Sequence, residues 1–144
     1  MKSLEESVAA AMDAQQDTTI VPFLPYIFQD WWELGTPSEI VLKIIQNHYK
    51  TCSNLQVLDL GCGKGAVSIK LAEALKCKCH GIDAIPEFIA AAKEKTKEHG
   101  VTTLCQFEVG DVRERIKELG TFDIFIFGAT GPIFNDYYTA LTAI

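Results

Sequence analysis

Long apolar runs are missing from this sequence. No stretch reaches the about 18 apolar residues that a membrane-spanning helix needs, so no such helix is expected. Cations are scarce as well: thirteen Lys and Arg stand against nineteen Asp and Glu, a net charge of −6. The densest basic group, Lys93, Lys95 and Lys97, is interrupted by Glu94 and Glu98 and reads as a solvated helix face. Neutralising a phosphate backbone requires clustered cations, so no nucleic-acid partner is expected. Histidine is limited to His48, His80 and His99, which fall inside a helix, inside a strand and at a helix end. None has the setting of a general base. The five cysteines cannot all pair within one chain. Cys77-Lys78-Cys79-His80 lacks a second ligand pair, and Cys on a strand is a common small core residue, so no metal is expected. Met1-Lys2-Ser3-Leu4-Glu5-Glu6 carries acids early and no apolar run, unlike a secretory signal, so a cytoplasmic location is expected.

What is present suits one soluble domain with a real core: 144 residues, 48% hydrophobic and 22% charged. Leu4, Val8 and Met12 recur at helical spacing and predict an amphipathic helix over residues 3–15. Asp17-Thr18-Thr19 breaks it. Pro22 and Pro25 frame a turn before an aromatic segment, Tyr26-Ile27-Phe28-Gln29-Asp30-Trp31-Trp32, that ends at Gly35. Thr36-Pro37-Ser38-Glu39 predicts a helix start, with Thr36 as cap, Pro37 at the first position and Glu39 as the capping-box acid.

From Leu55 the chain alternates. Strands are predicted at Gln56–Leu60, Lys78–Ile82, Leu104–Val109 and Phe122–Phe127, with helices near 64–76, 86–98 and 112–118 and a last one starting near Ile133. Short apolar strands joined by helical crossovers predict an α/β fold, a mostly parallel sheet with helices on both faces. Ligands of such sheets bind beyond the strand C-termini, so the loops after Leu60, Ile82, Val109 and Phe127 should share one cleft. The predicted division is an N-terminal helical cover, 1–49, and the α/β part, 50–144.

The loop after the first strand, Asp59-Leu60-Gly61-Cys62-Gly63-Lys64-Gly65, carries the most information. Alternate glycines let the backbone turn sharply and approach a ligand, and the next helix aims its amides at the same place. Gly61-x-Gly63-x-x-Ala66 also satisfies the loose dinucleotide fingerprint. Asp59, two residues before the first glycine, would repel a pyrophosphate and attract an ammonium. The amino-acid end of S-adenosylmethionine carries such an ammonium, and a carboxylate besides. Asp83, twenty residues after Gly63, closes the second strand where an acid can accept from a ribose diol. Both ligand classes use that device, and a helix-dipole role is the structural alternative. Ala84 follows, where an apolar residue can lie on an adenine face. Asp111 closes the third strand and is as compatible with a helix cap as with an adenine amino group.

Asp59-x-Gly61-x-Gly63-x-Gly65 on a strand end is similar to the first motif of class I S-adenosylmethionine-dependent methyltransferases. The resemblance spans the chain from about Pro22 onwards and is closest to small-molecule enzymes with a helical N-terminal cover. It implies a Rossmann-like three-layer fold with strand order 3-2-1-4, incomplete in this chain. It implies that Asp59, Gly61, Cys62, Gly63, Asp83, Ala84, Asp111 and Val112 bind the cofactor, with Asp111 on the adenine amine and the Val112 amide on a ring nitrogen. It places Gly128 and Ala129 near the transferred methyl and the aromatic segment over the cleft. Trp31 or Trp32 is then a candidate for a cation–π contact with the sulfonium, core packing being the alternative. Gly128-Ala129-Thr130-Gly131 departs from the Asn/Asp-Pro-Pro-aromatic motif of nucleobase amino-methyltransferases, which argues against a base amine as acceptor. Family members usually continue for roughly another hundred residues that supply the acceptor site, so the chain reads as a cofactor-binding fragment. The expected function is methyl transfer from S-adenosylmethionine to a small molecule. The alternatives are an NAD(P)-dependent oxidoreductase and a fragment that binds cofactor, or assembles, without turnover. Phe122–Phe127 is expected as an apolar sheet edge through which copies self-associate.

Overall fold

The structure is a computed structural model that describes residues 2–12, 17–128, 130, 133, 134 and 136–143. The elements run α1 (Leu4–Ala11), a 3-10 turn (Thr18–Phe23), α2 (Leu24–Ile27), α3 (Ser38–His48), β1 (Gln56–Leu60), α4 (Ala66–Leu75), β2 (Lys78–Asp83), α5 (Pro86–Glu98), β3 (Cys105–Val109), α6 (Val112–Arg115), β4 (Ile124–Ile126) and α7 (Tyr137–Ala143). The four strands form one parallel sheet in the order β3-β2-β1-β4. No described helix is long and apolar enough to cross a membrane.

Strand alternation distributes the core. Val57 faces the layer of α3, α4 and α5, where it packs with Ile45, Ile69, Ala72, Ile89 and Phe107. Leu58 and Leu60 face the opposite side with Ile82, Val112 and Ile116, covered by Leu119, Phe122, Phe127, Ile133 and Phe134. Leu58, Leu60 and Ile82 are fully buried, each stabilising the fold by about 1.5–3 kcal/mol. A third cluster, Leu24, Ile85 and Phe88, with Val8, Met12 and Leu34 against it, seats the N-terminal segment on the start of α5. The same alternation puts Asp59 on the α4 side, at the carboxyl end of β1.

Several element ends differ from the sequence expectation, each for a local reason. The first helix stops at Ala11 with Met12 as its C-cap, and residues 13–16 lie outside the described residues. α3 is not capped by Thr36 and Glu39. Glu33 instead accepts from the Ser38 amide at 3.1 Å and from its hydroxyl, and Pro37 is the N-cap. α4 begins at Ala66 because Gly65 is left-handed, with φ 74°. β4 is three residues long. Asp123 leaves the strand pattern to pair with Gln56, its carboxylate accepting the Gln56 amide at 2.8 Å. The expected Phe122–Phe127 edge is correspondingly shorter. The last helix begins at Tyr137, not near Ile133.

Candidate cofactor site

The carboxyl ends of β1, β2 and β3 open into two adjoining cavities. One, of about 260 Å³, is lined by Asp59, Gly61, Cys62, Gly63 and Gly128 below and by Trp32 to Thr36 above. The other, of about 70 Å³, is lined by Asp83, Ala84, Ile85, Asp111 and Val112, with Leu4, Ser7 and Val8 of α1 opposite. Ala11, Met12, Gly61 and Asp83 border both. The three acids expected to converge line these adjoining cavities, Asp59 the larger, Asp111 the smaller and Asp83 both. Ala129 lies outside the described residues.

The glycine loop makes the floor. Gly61, Gly63 and Gly65 all have positive φ, at 75°, 54° and 74°, a region that side chains disfavour. The Gly61 and Cys62 amides both donate to the Ile82 carbonyl, at 2.8 and 3.0 Å, which stitches the loop to the end of β2. Asp83 completes the stitch: its Oδ2 accepts from the Gly63 amide at 2.8 Å and its Oδ1 from Ile85 at 2.9 Å. Burial raises the Asp83 pKa, and those amides oppose the rise.

Asp59 is fully buried, and its Oδ2 accepts from Ser68 Oγ at 2.8 Å. Burial pushes its pKa up to about 6; the Ser68 hydrogen bond opposes this and the charge of Asp83 adds to it. Such an acid favours a cationic ligand group nearby, which relieves both carboxylates. Burial, then Asp59 and Asp83, also pushes the Cys62 thiol up, so it is no nucleophile.

The raised acid has a consequence for stability. The unfolded chain releases this proton near the ordinary 3.8, the folded chain near 6. Between those pH values the folded state holds more protons, so stability falls as pH rises and levels off above the higher value. The loss across the whole range is about 3 kcal/mol, about 2 of it between pH 4.5 and 7.5. Asp59→Asn is expected to remove most of it. Urea unfolding of both proteins at about pH 4.5 and 7.5 checks this, and an equal pH-dependent loss in the variant would clear Asp59 of responsibility.

Asp111 caps α6, its Oδ1 accepting from the Arg113 amide at 3.0 Å. The Arg113 guanidinium also grips both carboxylate oxygens, with Nε at 2.9 and 3.1 Å and Nη2 at 2.6 Å, and holds the Asp111 pKa below the usual range. Arg113 Nη1 reaches the Lys2 carbonyl at 2.8 Å and Ser7 Oγ at 3.1 Å, so one side chain joins this wall to α1. Nothing in the sequence pattern marks Arg113.

The two tryptophans differ from expectation. Trp31 is 63% exposed, packs on Phe28 and borders neither cavity. Trp32 borders the larger one. Its Nε1 donates to the Lys64 carbonyl at 3.0 Å, its ring stacks on His99 at 4.9 Å, and the Lys70 and Lys95 ammoniums lie 5.4 and 5.5 Å from its centroid. Of the two, Trp32 is thus the one placed over the larger cavity, with two lysine ammoniums already near its ring. No histidine borders either cavity among the described residues.

Fold and crevice together define an α/β domain whose ligand site lies beyond the carboxyl ends of a parallel sheet. The chain belongs to the methyltransferase-domain family, whose description, "Methyltransferase domain", matches residues 52–140. It is 37% identical over 76 residues to the release factor glutamine methyltransferase of Buchnera aphidicola, covering 51% of this chain and 27% of that one. It is 36% identical over 81 residues to the 2-heptyl-1-hydroxyquinolin-4(1H)-one methyltransferase of Mycobacteroides abscessus, covering 56% of this chain and 34% of that one. The chain thus spans about a quarter to a third of the length of these curated relatives. A solved S-adenosylmethionine-dependent methyltransferase from Geobacter sulfurreducens, in complex with S-adenosylhomocysteine, superimposes with a TM-score of 0.51 at 26% identity, over 65% of this chain and 36% of that one.

Proposed function

We propose that this chain binds S-adenosylmethionine in the crevice and is the donor-binding part of a methyltransferase acting on a small molecule. The observation that carries the reading is the convergence of Asp59, Asp83 and Asp111 on one crevice floored by glycine backbone. The residues fit the cofactor. Asp59 and the glycine loop suit the ammonium and carboxylate of its amino-acid end. Asp83 suits the ribose diol, with Ala84 against the adenine. Asp111 and the Val112 amide suit the adenine edge, and Gly128, which lines the larger cavity, suits the approach of the methyl end. The Geobacter relative, crystallised with the demethylated cofactor, supports the same ligand. The Mycobacteroides relative, named for a quinolone, favours a small-molecule acceptor.

When bound, the cofactor supplies an electrophilic methyl group open to in-line displacement. The protein's work is to hold the donor, orient it and exclude water. A base is needed only for an acceptor that arrives protonated, and the crevice presents carboxylates rather than an imidazole. No comparison favours the NAD(P)-dependent oxidoreductase. Calorimetry with S-adenosylmethionine, S-adenosylhomocysteine and NADH tests the proposal: the first two are expected to bind and NADH to give no heat. Binding of NADH alone would overturn it.

A further inference from the structure

Lys64 sits in the middle of the glycine loop, yet its side chain leaves the loop and its residue is only 9% exposed. Its Nζ donates to three main-chain carbonyls of the N-terminal segment: Phe28 at 2.5 Å, Trp31 at 2.7 Å and Gln29 at 3.2 Å. Three carbonyls exhaust the three donors of an ammonium. They lie in the turn just past α2, where the Phe28 carbonyl also accepts from the Trp31 amide at 3.1 Å, so the ammonium closes the turn around itself. The ammonium also lies 5.9 Å from the centroid of the buried Phe88 ring. Contact runs the other way too, because the Lys64 carbonyl accepts from Trp32 Nε1 at 3.0 Å. One residue of the floor thus holds the roof by both its side chain and its main chain.

The roof segment continues directly across the larger cavity. Leu34 Cδ1 lies 3.2 Å from where a Cβ on Gly63 would stand, and Thr36 Oγ1 lies 2.7 Å from the corresponding point on Gly128. The position of residues 33–36 over Asp59 and the loop therefore depends on where residues 28–32 are pinned. We propose that Lys64 is a positioning residue that seats the N-terminal cover on the glycine loop and so sets affinity for the amino-acid end of the cofactor without touching it. This rests on the cofactor reading above.

Lys64→Met keeps the aliphatic stem and removes the ammonium. S-adenosylhomocysteine, which on the cofactor reading spans both cavities, is expected to bind about tenfold more weakly, whereas adenosine, which on the same reading lacks the part that faces Asp59, is expected to change less than about twofold. Lys64→Arg keeps the charge and is expected to recover part of the loss. Amide hydrogen exchange without ligand is expected to rise in residues 24–35 of Lys64→Met and to stay unchanged in β1 and β2. Trp32→Phe removes the return hydrogen bond while keeping an aromatic ring at the cavity wall, and serves if Lys64→Met does not fold; it is expected to shift the two ligands in the same unequal way and to raise exchange in residues 24–35. Equal weakening of both ligands, or unchanged binding and unchanged exchange in residues 24–35, overturns the positioning role. Failure of the unaltered protein to bind S-adenosylhomocysteine is a different result and removes the cofactor reading instead.

Discussion

Asp83→Ala is expected to weaken S-adenosylmethionine binding by about 1.5–3 kcal/mol, roughly ten- to 150-fold. The carboxylate sits at the junction of the two cavities and is spatially fixed before any ligand arrives. Each oxygen accepts one main-chain amide, from Gly63 and from Ile85, and keeps lone-pair capacity for a diol. Alanine removes the acceptor of both and releases the loop that the acid holds. Asp83→Asn separates the two effects: it keeps one oxygen for an amide and loses the charge, so its affinity should fall between the other two. Calorimetry gives the affinities, and thermal unfolding shows whether the fold itself has loosened. Unchanged affinity in Asp83→Ala refutes the ribose assignment.

Gly65→Ala is expected to cost about 2–4 kcal/mol of stability, from left-handed backbone and overpacking together. Gly65 holds φ at 74° as the N-cap of α4. A Cβ there would stand 2.7 Å from Phe107 Cζ and 3.0 Å from the Ala92 Cβ. Both neighbours are buried in the central cluster, so neither can step aside cheaply. The third glycine of the motif thus acts through packing between α4, α5 and β3, and it borders neither cavity. Urea unfolding measures the loss directly. A midpoint equal to the unaltered protein's would mean that α4 starts differently from the geometry described.

These two positions also show what a sequence can reveal. Strand alternation and the glycine loop are local patterns, so β1 and α5 fall at the expected residues, whereas the sheet order came from the family resemblance. The acids at positions 59, 83 and 111 were legible for the same reason, each standing at or within two residues of a strand's carboxyl end. Lys64 was not, because its partners are a turn 33–36 residues earlier, and only tertiary packing brings them together. Glu33 escaped for a related reason: Thr36 and Glu39 have the right spacing for a cap, but an acid outside the motif takes the amide first. Trp31 and Trp32 could not be told apart by composition, since the outcome turns on which indole reaches the Lys64 carbonyl.

α1 occupies the side of the crevice opposite Asp111, and Leu4, Ser7, Val8, Ala11 and Met12 leave about 70 Å³ there, well below the several hundred typical of small-molecule pockets. On the cofactor reading, a planar ring entering that end is expected to displace this helix, and the guanidinium that clasps Asp111 also clasps Ser7 and the Lys2 carbonyl. On that reading the chain carries its own rival for the space. Observed affinity is the intrinsic affinity scaled by the fraction of molecules in which that rival has stepped back, so occupancy of the crevice and order at the extreme amino end rise and fall against each other.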